Sequence, residues 1–240
     1  MNGPQGCDVC HSQIPCFLTK LFGKGEATID RPRILIADDH NLRAELCRNL
    51  LEPEFEVVGT IDNGRALIHA TSELKPDLIV LDIAMPLLNG LDAGEQAKRM
   101  LPHVKLVFLT MTADSVVAAE AFRRGASAYL VKTCASTEMI AAVRDVLRGK
   151  TYLSTQLSKD MVDFMRRQNG VLVEEERLTE RQREVLQLLA EGKVMKEVGN
   201  ILHMATRPVA FHKYRIMEVL GAKSNADLVK YAVRHNLTVQ

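Results

Sequence analysis

The sequence contains no apolar run near the ~18 residues that a membrane helix needs. Its first residues lack the charged-then-apolar pattern of a secretion signal, so a cytoplasmic location without membrane attachment is expected. Cysteine is scarce and odd in number, 5 in all, which fits no extracellular disulfide framework. There are no internal repeats and no long low-complexity tracts, so repeat and fibrous architectures are excluded. Net charge is only +1, and by itself it selects no partner. What remains is an ordinary globular composition, 47% hydrophobic and 25% charged. A length of 240 residues suits two domains better than one.

The charge is unevenly distributed. Residues 31–149 carry 14 Lys and Arg against 16 Asp and Glu, whereas residues 178–240 carry 10 against 6. An acidic part joined to a basic part fits a sensor coupled to a polyanion-binding module.

Residues 1–30 show no periodicity and include Gly3, Pro4, Gly6, Pro15, Gly23 and Gly25; they read as a loose extension. Within them Cys7-Asp8-Val9-Cys10-His11 has the form C-x-x-C-H, a haem-attachment pattern, and with Cys16 the set also suits zinc. A plain tail is the simpler reading.

From Ile34 short apolar runs alternate with helical periodicity. Strands are expected at Ile34–Ala37, Val57-Val58, Leu78–Leu81, Leu106–Leu109 and Ala128–Val131. Helices are expected at 42–51, 66–74, 93–100, 116–123 and 139–147. Continuous apolar strands separated by amphipathic helices indicate a parallel sheet covered on both faces. Five such units make a doubly wound α/β domain over residues 31–149, with its site at the carboxyl ends of the strands. Residues 150–177 break the rhythm and read as a linker, with one short helix around Leu157, Met161, Phe164 and Met165. Residues 178–240 read as four helices, at 180–191, 195–202, about 207–220 and 225–235, with Gly192 and Gly221 placed to end two of them.

Charged groups fall at the strand ends. Asp38 and Asp39 follow the first strand, Asp82 the third, and Lys132 the fifth; Thr110 ends the fourth. Clustered carboxylates repel one another unless a cation lies among them, and oxygen ligands suit Mg²⁺. A carboxylate nucleophile, a cation and a lysine are the parts that phosphoryl transfer needs. Any one of these residues alone is an ordinary turn or surface residue; the joint pattern carries the reading.

The segments Ile34–His40 (ILIADDH), Leu81–Gly90 (LDIAMPLLNG), Leu109-Thr110-Met111 and Gly125–Lys132 (GASAYLVK) resemble a receiver domain of the flavodoxin-like fold. The resemblance implies that Asp82 is phosphorylated by a partner histidine kinase. It implies that Asp39, Asp82 and the carbonyl of Ala84 bind Mg²⁺, with Asp38 acting through water. Tyr129 would be the aromatic that turns inward when Thr110 moves. Met111, larger than usual after a switch threonine, is expected to narrow access to Asp82.

Leu178–Gly192 (LTERQREVLQLLAEG), Lys196-Glu197-Val198 and Val209–Ile216 (VAFHKYRI) resemble a LuxR-type helix-turn-helix domain. Thr179 is the expected cap of its first helix, with Gln182 completing a capping box. Val209 and Ile216 are expected in the core, while Ala210, Phe211, Lys213 and Tyr214 face outward toward a major groove. Lys196, Lys213 and Arg215 would neutralise phosphates, and Arg207 a phosphate or a base. The turn departs from the family's pattern, because Ala205 and Pro208 replace a Ser cap and a Thr. That leaves Thr206 as an alternative cap and weaker DNA binding as the expected consequence.

Together the segments resemble the NarL/FixJ class of response regulators. The class implies phosphorylation-controlled transcription regulation, DNA and a sensor kinase as partners, and a homodimer on activation. Two other readings stay open. One makes the helical part a protein-interaction module. The other is a phosphatase with an aspartyl-phosphate intermediate; it would need a substrate cap and a general acid, and neither is found, so enzymatic turnover is not expected.

Overall fold

The computed structural model describes residues 31–111, 113–134, 136–157 and 178–238. Cys7, Cys10, His11 and Cys16, and the linker positions Met161, Phe164 and Met165, lie outside the described residues.

Arg31 to Leu153 alternate as β1 (Arg33–Ala37), α1 (Asn41–Leu51), β2 (Glu56–Ile61), α2 (Gly64–Leu74), β3 (Leu78–Asp82), α3 (Gly90–Met100), β4 (Lys105–Thr110), α4 (Ser115–Arg123), β5 (Ala128–Val131), α5 (Ser136–Leu147) and β6 (Tyr152–Leu153). All pairs are parallel, in the order β2-β1-β3-β4-β5-β6. Alternate residues of each strand feed two cores. Leu35, Ile79, Leu81, Leu106 and Phe108 meet α2, α3 and α4 through Leu67, Ala93, Ala97, Ala118 and Ala121. Ile34, Ile36, Val80, Val107 and Leu130 meet α1 and α5 through Cys47, Leu51, Ala142, Val143 and Val146. Burial on both faces explains the unbroken apolar runs of the strands.

Among the described residues the expected five strands are corrected to six. β6 adds two residues beside β5, with Ser154 N–H donating to the Tyr129 carbonyl at 3.0 Å. Two residues cannot display an alternating pattern, so periodicity could not separate them from a linker.

In the sheet β1 lies beside β3, and the chain leaves β1 for β2 on one side but leaves β3 for β4 on the other. A crevice therefore opens at the carboxyl ends of β1 and β3. Asp38 and Asp39 directly follow β1, and Asp82 is the last residue of β3.

The helical part consists of α6 (Glu180–Ala190), α7 (Met195–Ile201), α8 (Thr206–Leu220) and α9 (Asn225–Arg234). Thr179 caps α6 by accepting from Gln182 N–H, and the Gln182 side chain accepts from Thr179 N–H at 2.8 Å. Gly192 and Gly221 adopt φ of +83° and +62°, the left-handed geometry that ends a helix at low cost in glycine. Val185, Leu186, Leu188, Val198, Val209, Ile216, Leu228 and Ala232 form its core.

Candidate functional site

Asp38 and Asp82 are 2% and 3% exposed, and Asp39 lies at the rim beside them. One oxygen of each, with a ring nitrogen of His40, lies within 4.8 Å of the others. Such hard oxygen donors fit a magnesium ion.

Two cations face this nest. Lys132, directly after β5, bonds Asp82 and lies 3.4 Å from Asp38. Arg43, in the first turn of α1, belongs to no sequence motif and is brought here by the fold. Its Nη2 is 3.0 Å from Asp38, 3.3 Å from Asp82 and 3.5 Å from Asp39. Burial pushes the Asp82 carboxyl above its ordinary range, and Lys132 opposes that push. The Ala84 N–H donates to Asp82 Oδ1 at 3.1 Å.

Thr110 ends β4 and is 8% exposed. Tyr129 on the adjacent β5 is wholly buried. Burial pushes its hydroxyl up to about 12, against the effect of Thr110. Met111, by contrast, is 64% exposed. Arg43 Nη2 donates to Asp82 Oδ2 at 3.3 Å.

The loop from Asp82 to α3 is tightly built. Gly90 N–H donates to the Ile83 carbonyl at 2.8 Å. A Cβ on Gly90 would stand 2.0 Å from the Asp82 carbonyl oxygen, so only glycine fits.

The same loop is gripped by the helical part. Gln187 of α6 is fully buried; it accepts from Asn89 N–H at 2.7 Å and donates to the Met85 carbonyl at 2.9 Å. Glu191 accepts from Leu87 N–H at 3.0 Å, and the Leu87 side chain packs against the helical core. Leu87 has φ of +65°, an uncommon conformation for a branched side chain. Asp92 of α3 is the ionic centre of this contact. It accepts from Arg183 of α6 at 2.8 Å and from Arg124, which follows α4, at 2.5 Å. Burial alone would raise the Asp92 carboxyl; the bond to Arg183 and the two guanidinium charges outweigh it and hold it below the usual range. Further along, Arg99 pairs with Glu180 at 2.6 Å.

Among the nucleic-acid candidates, α8 buries Val209 and Ile216 as expected. Phe211 and Tyr214 are each 68% exposed, and Arg207 and Arg215 are exposed with them. Lys213 and Ala210 are half-buried. Lys196 is exposed on α7. Arg215 is paired with Glu218 at 2.6 Å. The alternative cap Thr206 is corrected: Ala205 occupies the cap position without a side-chain bond, and Thr206 is the first helical residue.

Residues 34–144 match the family described as response regulator receiver domain, and residues 176–232 match bacterial regulatory proteins of the luxR family. The chain is 30% identical over 209 residues to the response regulator GacA of Pseudomonas aeruginosa, covering 85% of this chain and 97% of that protein. It is 32% identical over 217 residues to the transcriptional regulatory protein LnrK of Bacillus subtilis, covering 86% and 99%. Among solved structures, the RcsB response regulator of Salmonella typhimurium shares the fold with a TM-score of 0.59 at 22% identity, over 86% of this chain and 98% of that one.

Proposed function

The chain belongs to the two-component response regulators that join a receiver to a LuxR-type helix-turn-helix domain, and on that premise we propose how its residues regulate transcription. Asp82 is the phosphoacceptor, supplied by a sensor histidine kinase. Its carboxylate attacks phosphorus, the leaving group departs, and an acyl phosphate remains on Asp82. Lys132 bonds the attacked carboxylate and neutralises charge on the arriving phosphoryl group. Mg²⁺ would be held by Asp38, Asp39, Asp82 and the Ala84 carbonyl, and when bound would supply further neutralisation. Thr110 and Tyr129 pass the change to the α4 side of the sheet. The exposed face of α8, with Arg207, Ala210, Phe211, Lys213, Tyr214 and Arg215, meets the major groove, and Lys196 meets the backbone. Two copies bind together, which gives a dimer on two half-sites. The receiver part is residues 31–149 extended by β6 (Tyr152–Leu153), and the DNA-binding part is residues 178–240.

The observation that carries this reading is the buried Asp82 bonded to Lys132 and set beside Asp38 at the mouth of the sheet. The grip of Gln187 on the loop following Asp82 supports coupling between the two halves. A selection of DNA sequences, run with and without an acyl-phosphate donor, tests it. Wild type should enrich a defined site in a donor-dependent way, and Asp82→Ala should lose the dependence. Enrichment that ignores both the donor and Asp82 would refute the proposal.

A further inference from the structure

Arg43 is in an unfavourable place unless the carboxylates explain it. It is the third residue of α1, next to the positive end of the helix dipole, where a cation is normally disfavoured. No acidic residue stands in that first turn to offset it. The guanidinium turns instead into the nest. Nε lies 3.2 Å from Asp38 Oδ2 and 3.3 Å from Asp38 Oδ1. Nη2 reaches all three carboxylates at 3.0 to 3.5 Å, and lies 2.5 Å from His40 Nδ1. One nitrogen therefore occupies the point that the three acids share.

We propose that Arg43 is a resident cation, seated where a divalent ion would bind between Asp38, Asp39 and Asp82, and that it must swing out before the ion enters. The inference rests on the phosphoacceptor reading of this nest. An ion bonds carboxylate oxygens at about 2 Å. It and Nη2 would claim one volume, and two cations there would repel. Charge allows the exchange. Three carboxylates face Arg43 and Lys132, leaving one negative charge; a divalent ion in place of Arg43 makes the nest neutral. Arg43 is free to leave, because its side chain is 29% exposed on a long flexible stem, whereas Lys132 is 6% exposed and stays. The apparent ion affinity is then reduced by the fraction of molecules in which Arg43 is out. Phosphorylation becomes limited by magnesium in a way set by one residue of α1.

The test uses the full chain, which has no Trp and so no indole fluorescence to follow. Magnesium chloride is titrated calorimetrically into wild type and Arg43→Gln. The variant should bind about tenfold more tightly, the figure for a competent fraction of one in ten. Equal or weaker binding overturns the role of Arg43 and leaves the phosphoacceptor reading standing. Magnesium binding to neither protein would remove the basis of both. A second measurement needs no variant. In the ¹⁵N spectrum of wild type, the Arg43 Nε–H signal should move to the position of a solvated guanidinium as magnesium saturates. An Nε–H signal that stays in its bonded position at saturation overturns the proposal.

Discussion

At position 205 the missing cap and the proline three residues later belong to one another. A capping oxygen bonds the N–H of the second or third helical residue. The second residue of α8, Arg207, still offers its N–H, but the third is Pro208, which has none. Ala205→Ser alone should therefore raise stability by only a few tenths of a kcal/mol, while Ala205→Ser with Pro208→Thr should gain about 1 kcal/mol and tighten DNA binding. Thermal unfolding and a DNA titration check this; a single change as effective as the pair would contradict it. Lys132 is a second residue with a clear expectation. Lys132→Met removes the cation bonded to Asp82, so phosphorylation by an acyl phosphate should slow by about a hundredfold, the scale of losing one charge-stabilising group. Phosphate-affinity electrophoresis over time would measure it.

Among the elements, the loop between β3 and α3 has the least tolerance. It must turn sharply at Gly90 against the carbonyl of Asp82. Gly90→Ala places a methyl at 2.0 Å from that oxygen, so the loop or the strand has to shift. A loss of about 3 kcal/mol or more is expected, in the range of severe steric changes. Denaturant unfolding would show it, and a midpoint within error of wild type would disprove it. Helix α6 presents a different pattern. Glu180, Arg183, Glu184, Gln187 and Glu191 repeat at three- and four-residue spacing and so form one polar face. That face meets the sheet part through Arg99, Asp92, Gln96, Asn89 and Leu87. The stripe of Val185 and Leu188 turns the other way, into the helical core.

For the whole molecule, Asp92 joins three places: its own helix, Arg124 after α4, and Arg183 of the DNA-binding half. Its carboxyl is held below the ordinary range by those guanidinium groups, against the effect of burial. A depressed carboxyl contributes stability that is present above its unfolded value, about 4, and is lost as pH falls through its folded value. The contact between the halves should accordingly weaken below about pH 4. Asp92→Asn should weaken it at neutral pH, since Arg183 then loses its 2.7 Å ion pair across the contact, while Arg124 keeps Glu120 and Glu95. Hydrogen exchange at the Met85 to Gly90 amides reports both effects. Unchanged protection in Asp92→Asn would exclude Asp92 as the link. Under the proposed function phosphoryl transfer would act on the same loop from its other end, at Asp82, while α6 holds it at Met85, Leu87 and Asn89.

The order of strands and helices was legible in the sequence because burial on both sheet faces leaves continuous apolar runs, and packing on one side leaves helical stripes. The acidic nest was legible because Asp38, Asp39, Asp82, Thr110 and Lys132 each stand where a strand stops, and a parallel sheet gathers those stops at one edge. β6 was not, since two residues carry no period. Arg43 was hidden for another reason: one cation in a helix reads as solvated until the strands bring acids from positions 38, 39 and 82 around it. The polar face of α6 was equally ambiguous, because water and a neighbouring domain satisfy such side chains alike. Local chemistry along the chain determines which elements form and what each can donate or accept. Which donor meets which acceptor, across distances of forty to a hundred residues, is decided only by tertiary packing, because it depends on positions that no local pattern encodes.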